Sequence, residues 1–106
     1  MKTSELTGPA LDWAVAMCED EEVSLVRGQL ETRWTDNGWK PSTEWAQGGP
    51  IIEREKIETW YRVGVHWTSR IPGVWEENGP TQLVSAMRCY VGSKLGNEVN
   101  VPEELK

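Results

Sequence analysis

Among its 106 residues the chain has no phenylalanine, one histidine and two cysteines. Each scarcity closes a class of function. A catalytic base or nucleophile needs a second and usually a third supporting group, and the lone His66 brings none of its own kind. With Cys18 and Cys89 it makes three metal-ligating side chains, but no two stand at the short paired spacings of structural zinc sites. The patterns G-x-S-x-G, G-x-x-x-x-G-K and H-E-x-x-H are all missing. The expectation is a non-enzymatic protein with no metal and no cofactor. No apolar run nears the ~20 residues that a membrane span needs, and the opening residues 1–5 lead into no apolar signal-peptide core. That reading predicts a cytoplasmic chain with no membrane contact and reduced thiols. Basic residues are short as well, 11 against 17 acidic, for a net charge of −6. The sign disfavours nucleic acid, and the acidic density is too low for a DNA mimic.

The segment 79–96 is the clearest positive signal. Leu83, Met87, Tyr90, Val91 and Leu95 recur at helical spacing between Gly79-Pro80 and Gly96. Pro suits the first helical position and Gly the position past the end, so an amphipathic helix is expected there. Gly8-Pro9 opens a second helix over 8–18, with Thr7 as its N-cap and an apolar face built from Leu11, Ala14, Val15 and Cys18. The run Glu19-Asp20-Glu21-Glu22 opposes the helix dipole and is placed in a solvated turn. After Gly49-Pro50, Ile52 and Ile57 fit neither period well, and one or two helical turns are expected.

Residues 59–68 alternate. Tyr61, Val63, Val65 and Trp67 line one face, and Trp60, Arg62, Gly64, His66 and Thr68 the other. The pattern reads as one half-buried central antiparallel strand. A second strand is expected from Val23 to Val26 or onward to Arg33. Asn37-Gly38 and Pro72-Gly73 are turns, and 99–102 is an extended piece that docks the C-terminus. At this length the chain is read as one domain, 1–106. The fold class is α+β, a small antiparallel sheet packed against two main helices plus a short third helix.

Three blocks carry a resemblance: residues 1–16, reading MKTSELTGPALDWAVA; residues 42–55, reading STEWAQGGPIIERE; and residues 79–102. In this order and spacing they resemble the NinX family of phage and prophage proteins, and are more loosely similar to a phage α-β-α sandwich domain. The resemblance implies a bacterial virus or prophage as the source and a small accessory protein as the product. It transfers no catalytic or binding residue to this chain.

Seven tryptophans and no phenylalanine suggest that Trp replaces Phe in the core. Trp13 and Trp67 fit that explanation. Trp34, Trp39 and Trp45 stand among loop-forming residues, where a small domain has difficulty burying every large ring. Exposed Trp near Arg has the composition of interface hot spots. The candidate binding residues are therefore Trp34, Trp39, Trp45, Arg33, Arg62 and His66. The expected partner is a host or phage protein, with a homo-oligomer left open. The alternative is a small ligand, a nucleotide signal held by Trp and Arg.

Overall fold

The computed structural model describes residues 1–33, 38–64 and 66–106. Helix α1 spans Gly8–Cys18, α2 spans Trp45–Glu55 and α3 spans Gln82–Leu95. Strands β1 (Ser24–Val26) and β2 (Gln29–Glu31) form one antiparallel sheet. Strands β3 (Glu58–Arg62), β4 (His66–Ile71) and β5 (Trp75–Gly79) form a second, in the order β3-β4-β5. Short 3-10 turns lie at Thr3–Glu5 and Glu103–Leu105. The class is α+β.

Helix α3 forms the centre. It packs on the three-stranded sheet with one side and on α1 and α2 with another. Val84, Ala86, Met87, Cys89, Tyr90 and Val91 are buried along it and share one core with Leu11, Ala14 and Val15 of α1 and Ile51 of α2. The helix starts two residues later than the Gly-Pro signal implies. Thr81 caps it, its Oγ1 accepting from the Val84 N–H at 3.1 Å, and Pro80 stands outside the cap. Gly96 ends it at φ +84°, as its position after the apolar stripe suggests. In α1, Thr7 holds the cap position, but its side chain makes no capping bond.

Four expectations fail, each for a local reason. The single strand of 59–68 is a hairpin, with β3 and β4 joined by residues 63–65 and Gly64 at φ +78°. Tyr61 and Val63, expected in the core, are 53% and 89% exposed; Val65 lies outside the described residues. The strand from Val23 keeps the shorter of its two expected extents, with β1 ending at Val26, and the onward extent to Arg33 fails because the chain turns back as β2. Arg27 and Gly28 both take positive φ, 51° and 82°, the two-residue turn that matches strand twist. Helix α2 begins at Trp45, so Pro50 stands inside it rather than at its start. Gly49 before the proline removes the Cβ that would crowd the ring. Gly48 lets the helix press against the Pro41 carbonyl and Leu83, where a Cβ would overlap both.

The acidic run is the fourth. Glu19 is not solvated: Arg54 donates from Nη1 and Nη2 to its two carboxylate oxygens at 3.0 and 2.6 Å, and the Tyr90 hydroxyl also donates to it. Burial alone would raise the Glu19 pKa, but these hydrogen bonds hold it below the ordinary carboxylate range. The tail behaves as read. Val99 and Val101 are buried, and Val99 exchanges hydrogen bonds with Met1 in both directions.

Candidate interaction surface

The β3-β4-β5 sheet has two unlike faces. Odd-numbered residues point toward α3: Ser69 shares a hydrogen bond with Ser85 at 2.7 Å, Thr59 accepts from Gln82, and Trp75 lies against Gly92. Even-numbered residues therefore point the other way, away from all three helices. Register places them in rows: Arg62 opposite His66, Trp60 opposite Thr68 and Asn78, and Glu58 opposite Arg70 and Glu76. This open face carries an aromatic ring, two guanidinium groups and an imidazole around a fully buried Thr68.

Its side chains hold one another in place. The Arg70 guanidinium stacks over the Trp60 ring at 5.3 Å from the centroid, and donates from Nε and Nη2 to Glu58 Oε1 at 3.1 and 2.9 Å. Thr68 donates to Asn78 Oδ1 at 2.9 Å. Beside the face, a cleft of about 410 Å³ is lined by Ser4, His66, Glu77, Asn78, Pro80 and Arg88. Arg88 donates Nε to the Leu6 carbonyl at 2.7 Å and Nη1 to the Asn78 carbonyl at 2.9 Å. Burial pulls its pKa down from the ordinary guanidinium value while Glu77 works the other way. His66 Nε2 is enclosed with no hydrogen-bond partner among the described residues.

Two of the six candidates from the sequence, Arg62 and His66, thus meet as a register pair on this face. The others lie apart from it in the chain's architecture. Trp34 is outside the described residues, and Arg33 stands exposed just after β2. Trp39 is a half-buried anchor: its indole N–H donates to the Asp12 carbonyl at 2.8 Å and the ring packs on the core. Trp45 is 51% exposed in the first turn of α2, on a helix rather than a loop. Trp60, Arg70 and Asn78 were missed as site residues. The alternation that put Trp60 beside Arg62 and His66 was their available signal.

Near Trp39, Asp12 is buried and its Oδ1 accepts from the Ser42 N–H at 2.9 Å. Desolvation pushes its pKa up to about 6, with Ser42 and Lys40 pulling it back. Both thiols are unbridged, and burial raises each to about 12, far from a reactive thiolate. Among the described residues, no three His, Cys, Asp or Glu side chains gather as a ligand set.

A family model described as bacteriophage P22, NinX matches residues 2–94. The chain belongs to the NinX family. That membership makes it a phage accessory protein, and the matched span covers α1, α2, all five strands and all but the last residue of α3. No curated protein matches this NinX chain. The open sheet face lies within the span that the family shares.

Proposed function

We propose that this NinX-family chain is a non-enzymatic protein-binding module whose target is a host or phage protein, engaged through the open face of the three-stranded sheet. The observation that carries this reading is the Trp60–Arg70 stack flanked by Arg62 and His66 on a face that no helix covers. Trp and Arg are the residues most enriched at binding hot spots, and the stack is held in its bound geometry before any partner arrives, which lowers the entropy lost on association. The net charge of −6 suppresses nonspecific binding to nucleic acid and favours partners with basic surface.

Tagged protein recovered from infected host cells, with captured proteins read by mass spectrometry, tests the reading. Trp60→Ala and Arg70→Ala are each expected to weaken capture by about 30-fold, the size of a ~2 kcal/mol hot spot. Trp45→Ala should leave capture intact. Capture indifferent to changes on the sheet face would sink the assignment. A second reading, a small anionic ligand such as a nucleotide, draws on the cleft beside His66 and Arg88. It predicts that nucleotides raise the melting temperature and that Arg88→Met abolishes the rise.

A further inference from the structure

The two edges of the three-stranded sheet are treated differently. Strand β5 runs beside the N-terminal 3-10 turn, and Arg88 takes up its Asn78 carbonyl. Strand β3 has no such cover: among the described residues, no backbone hydrogen bond reaches Glu58–Arg62 except from β4. An edge of this kind leaves a row of N–H and C=O groups open, and proteins usually blunt it with proline, lysine, a bulge or an overlying segment. The β3 sequence Glu58-Thr59-Trp60-Tyr61-Arg62 has neither proline nor lysine, and its two charged residues, Glu58 and Arg62, are of opposite sign, so a second copy can match them rather than be repelled.

We infer that this edge pairs antiparallel with the β3 edge of a second copy of the chain, centred on Trp60. The choice of occupant rests on the order of charges along the strand. In that register Glu58 lies opposite Arg62 of the second copy and Arg62 opposite its Glu58, so the two-fold axis creates two ion pairs at once. Thr59 lies opposite Tyr61 in the same way, and the two Trp60 rings meet at the axis. Opposite charges directly across a ladder stabilise it and like charges oppose it. The pairing also accounts for a group of exposed side chains on one edge. Arg62 makes no ion pair among the described residues, Tyr61 is half exposed, and Val63 just beyond it is almost fully exposed. A two-fold contact of this kind is self-complementary by construction. It would join two three-stranded sheets into one six-stranded sheet and place two open faces side by side.

Analytical ultracentrifugation of the purified full chain from 1 µM to 500 µM, roughly the range where weak edge pairing shows, is the test. A reversible monomer–dimer equilibrium is expected, with amides of residues 58–62 gaining protection from hydrogen exchange as concentration rises. Arg62→Glu sets Glu against Glu58 at both pairs and should raise the dissociation constant by about tenfold or more. Arg62→Lys keeps the charge and should leave it within about threefold. Circular dichroism of Arg62→Glu should match that of the parent, because the side chain is exposed. A protein that stays monomeric throughout overturns the inference, and so does a dimer indifferent to Arg62→Glu. Neither result bears on capture through Trp60 and Arg70, which is read in a separate experiment at low concentration.

Discussion

Gly92 stands where the Trp75 indole lies flat against α3, and a Cβ added there would overlap the ring. The end of the ring that faces Gly92 is also held by its N–H, which donates to Glu77 Oε2 at 2.8 Å. Gly92→Ala should therefore force the helix and β5 apart and cost ~3 kcal/mol or more, although alanine favours helix in isolation. Urea unfolding at constant m-value checks it; a neutral result would mean that the indole swings away cheaply. Asp12 gives a prediction of the opposite sign. Its folded pKa of about 6 lies above the ordinary 3.8, so the folded state holds the proton more tightly than the unfolded one. The stability this confers is complete below about pH 4 and is lost as pH rises through 6. Asp12→Asn keeps an oxygen to accept from Ser42 and removes the cost of the buried charge. Relative to the parent, the variant should gain stability steadily between pH 4 and 6, by up to ~3 kcal/mol at neutral pH. Parallel pH–stability curves for the two proteins would refute the assignment.

At the scale of elements, α1, α2 and α3 are locked at one corner by side chains that carry charge. Arg54 from α2 binds Glu19 at the end of α1 and also Glu55, while Tyr90 of α3 donates to Glu19 and lies under the Arg54 guanidinium at 5.8 Å. Burial and the Glu19 contact both push the Tyr90 pKa up, so the hydroxyl stays a donor at any ordinary pH. Tyr90→Phe keeps the ring in the core and deletes the hydroxyl that donates to Glu19 and accepts from Arg54 Nη2 at 3.2 Å, which should cost ~1 kcal/mol in thermal or chemical unfolding; a loss near zero would assign the whole corner to apolar packing. These contacts were not legible in the sequence, because the acidic run at 19–22 looks solvated until α2 is placed beside it. The helices were legible at both ends of the chain, where apolar spacing and glycine stops agree. The strands were read with the wrong ends and the right faces. The turn at Val63 and Gly64 brings the chain back so that Arg62 pairs with His66 and Tyr61 with Trp67. Even residues before the turn and even residues after it consequently share a face. Alternation across 59–68 thus survived the hairpin, which is why it grouped Trp60, Arg62, His66 and Thr68 correctly while misplacing Val63. Trp39 was misleading for a different cause: its anchor is a backbone carbonyl of α1, a partner with no sequence signal.

For the whole molecule, the span matched by the family and the span that closes the core do not coincide. The family model covers residues 2–94, yet Val99 and Val101 are buried and pack on the core beyond it. The same tail ties down the N-terminus. Thr3, fully buried, donates its backbone N–H to the Asn97 carbonyl at 3.0 Å, its hydroxyl donates to the Gly96 carbonyl, and the Met1 and Val99 backbones bond each other. Burial of two valines is worth roughly 1.5–2 kcal/mol each, and the strand-like contacts to residues 1–3 add about 1 kcal/mol apiece. A loss of ~7–8 kcal/mol is comparable with the whole stability of a domain this small, ~5–15 kcal/mol. A chain ending at Leu95 keeps all of the matched residues, with α1 to α3 and β1 to β5, but should unfold at a much lower urea concentration and bind hydrophobic dyes at rest. Val99→Ala with Val101→Ala in the full chain should give an intermediate loss of ~2–4 kcal/mol, because the backbone bonds to Met1 and Thr3 remain. If the shortened chain unfolds at the parent's midpoint, the tail is an ornament on a core that α1, α2 and α3 already complete, and the burial of Val99 and Val101 contributes nothing that those helices do not supply.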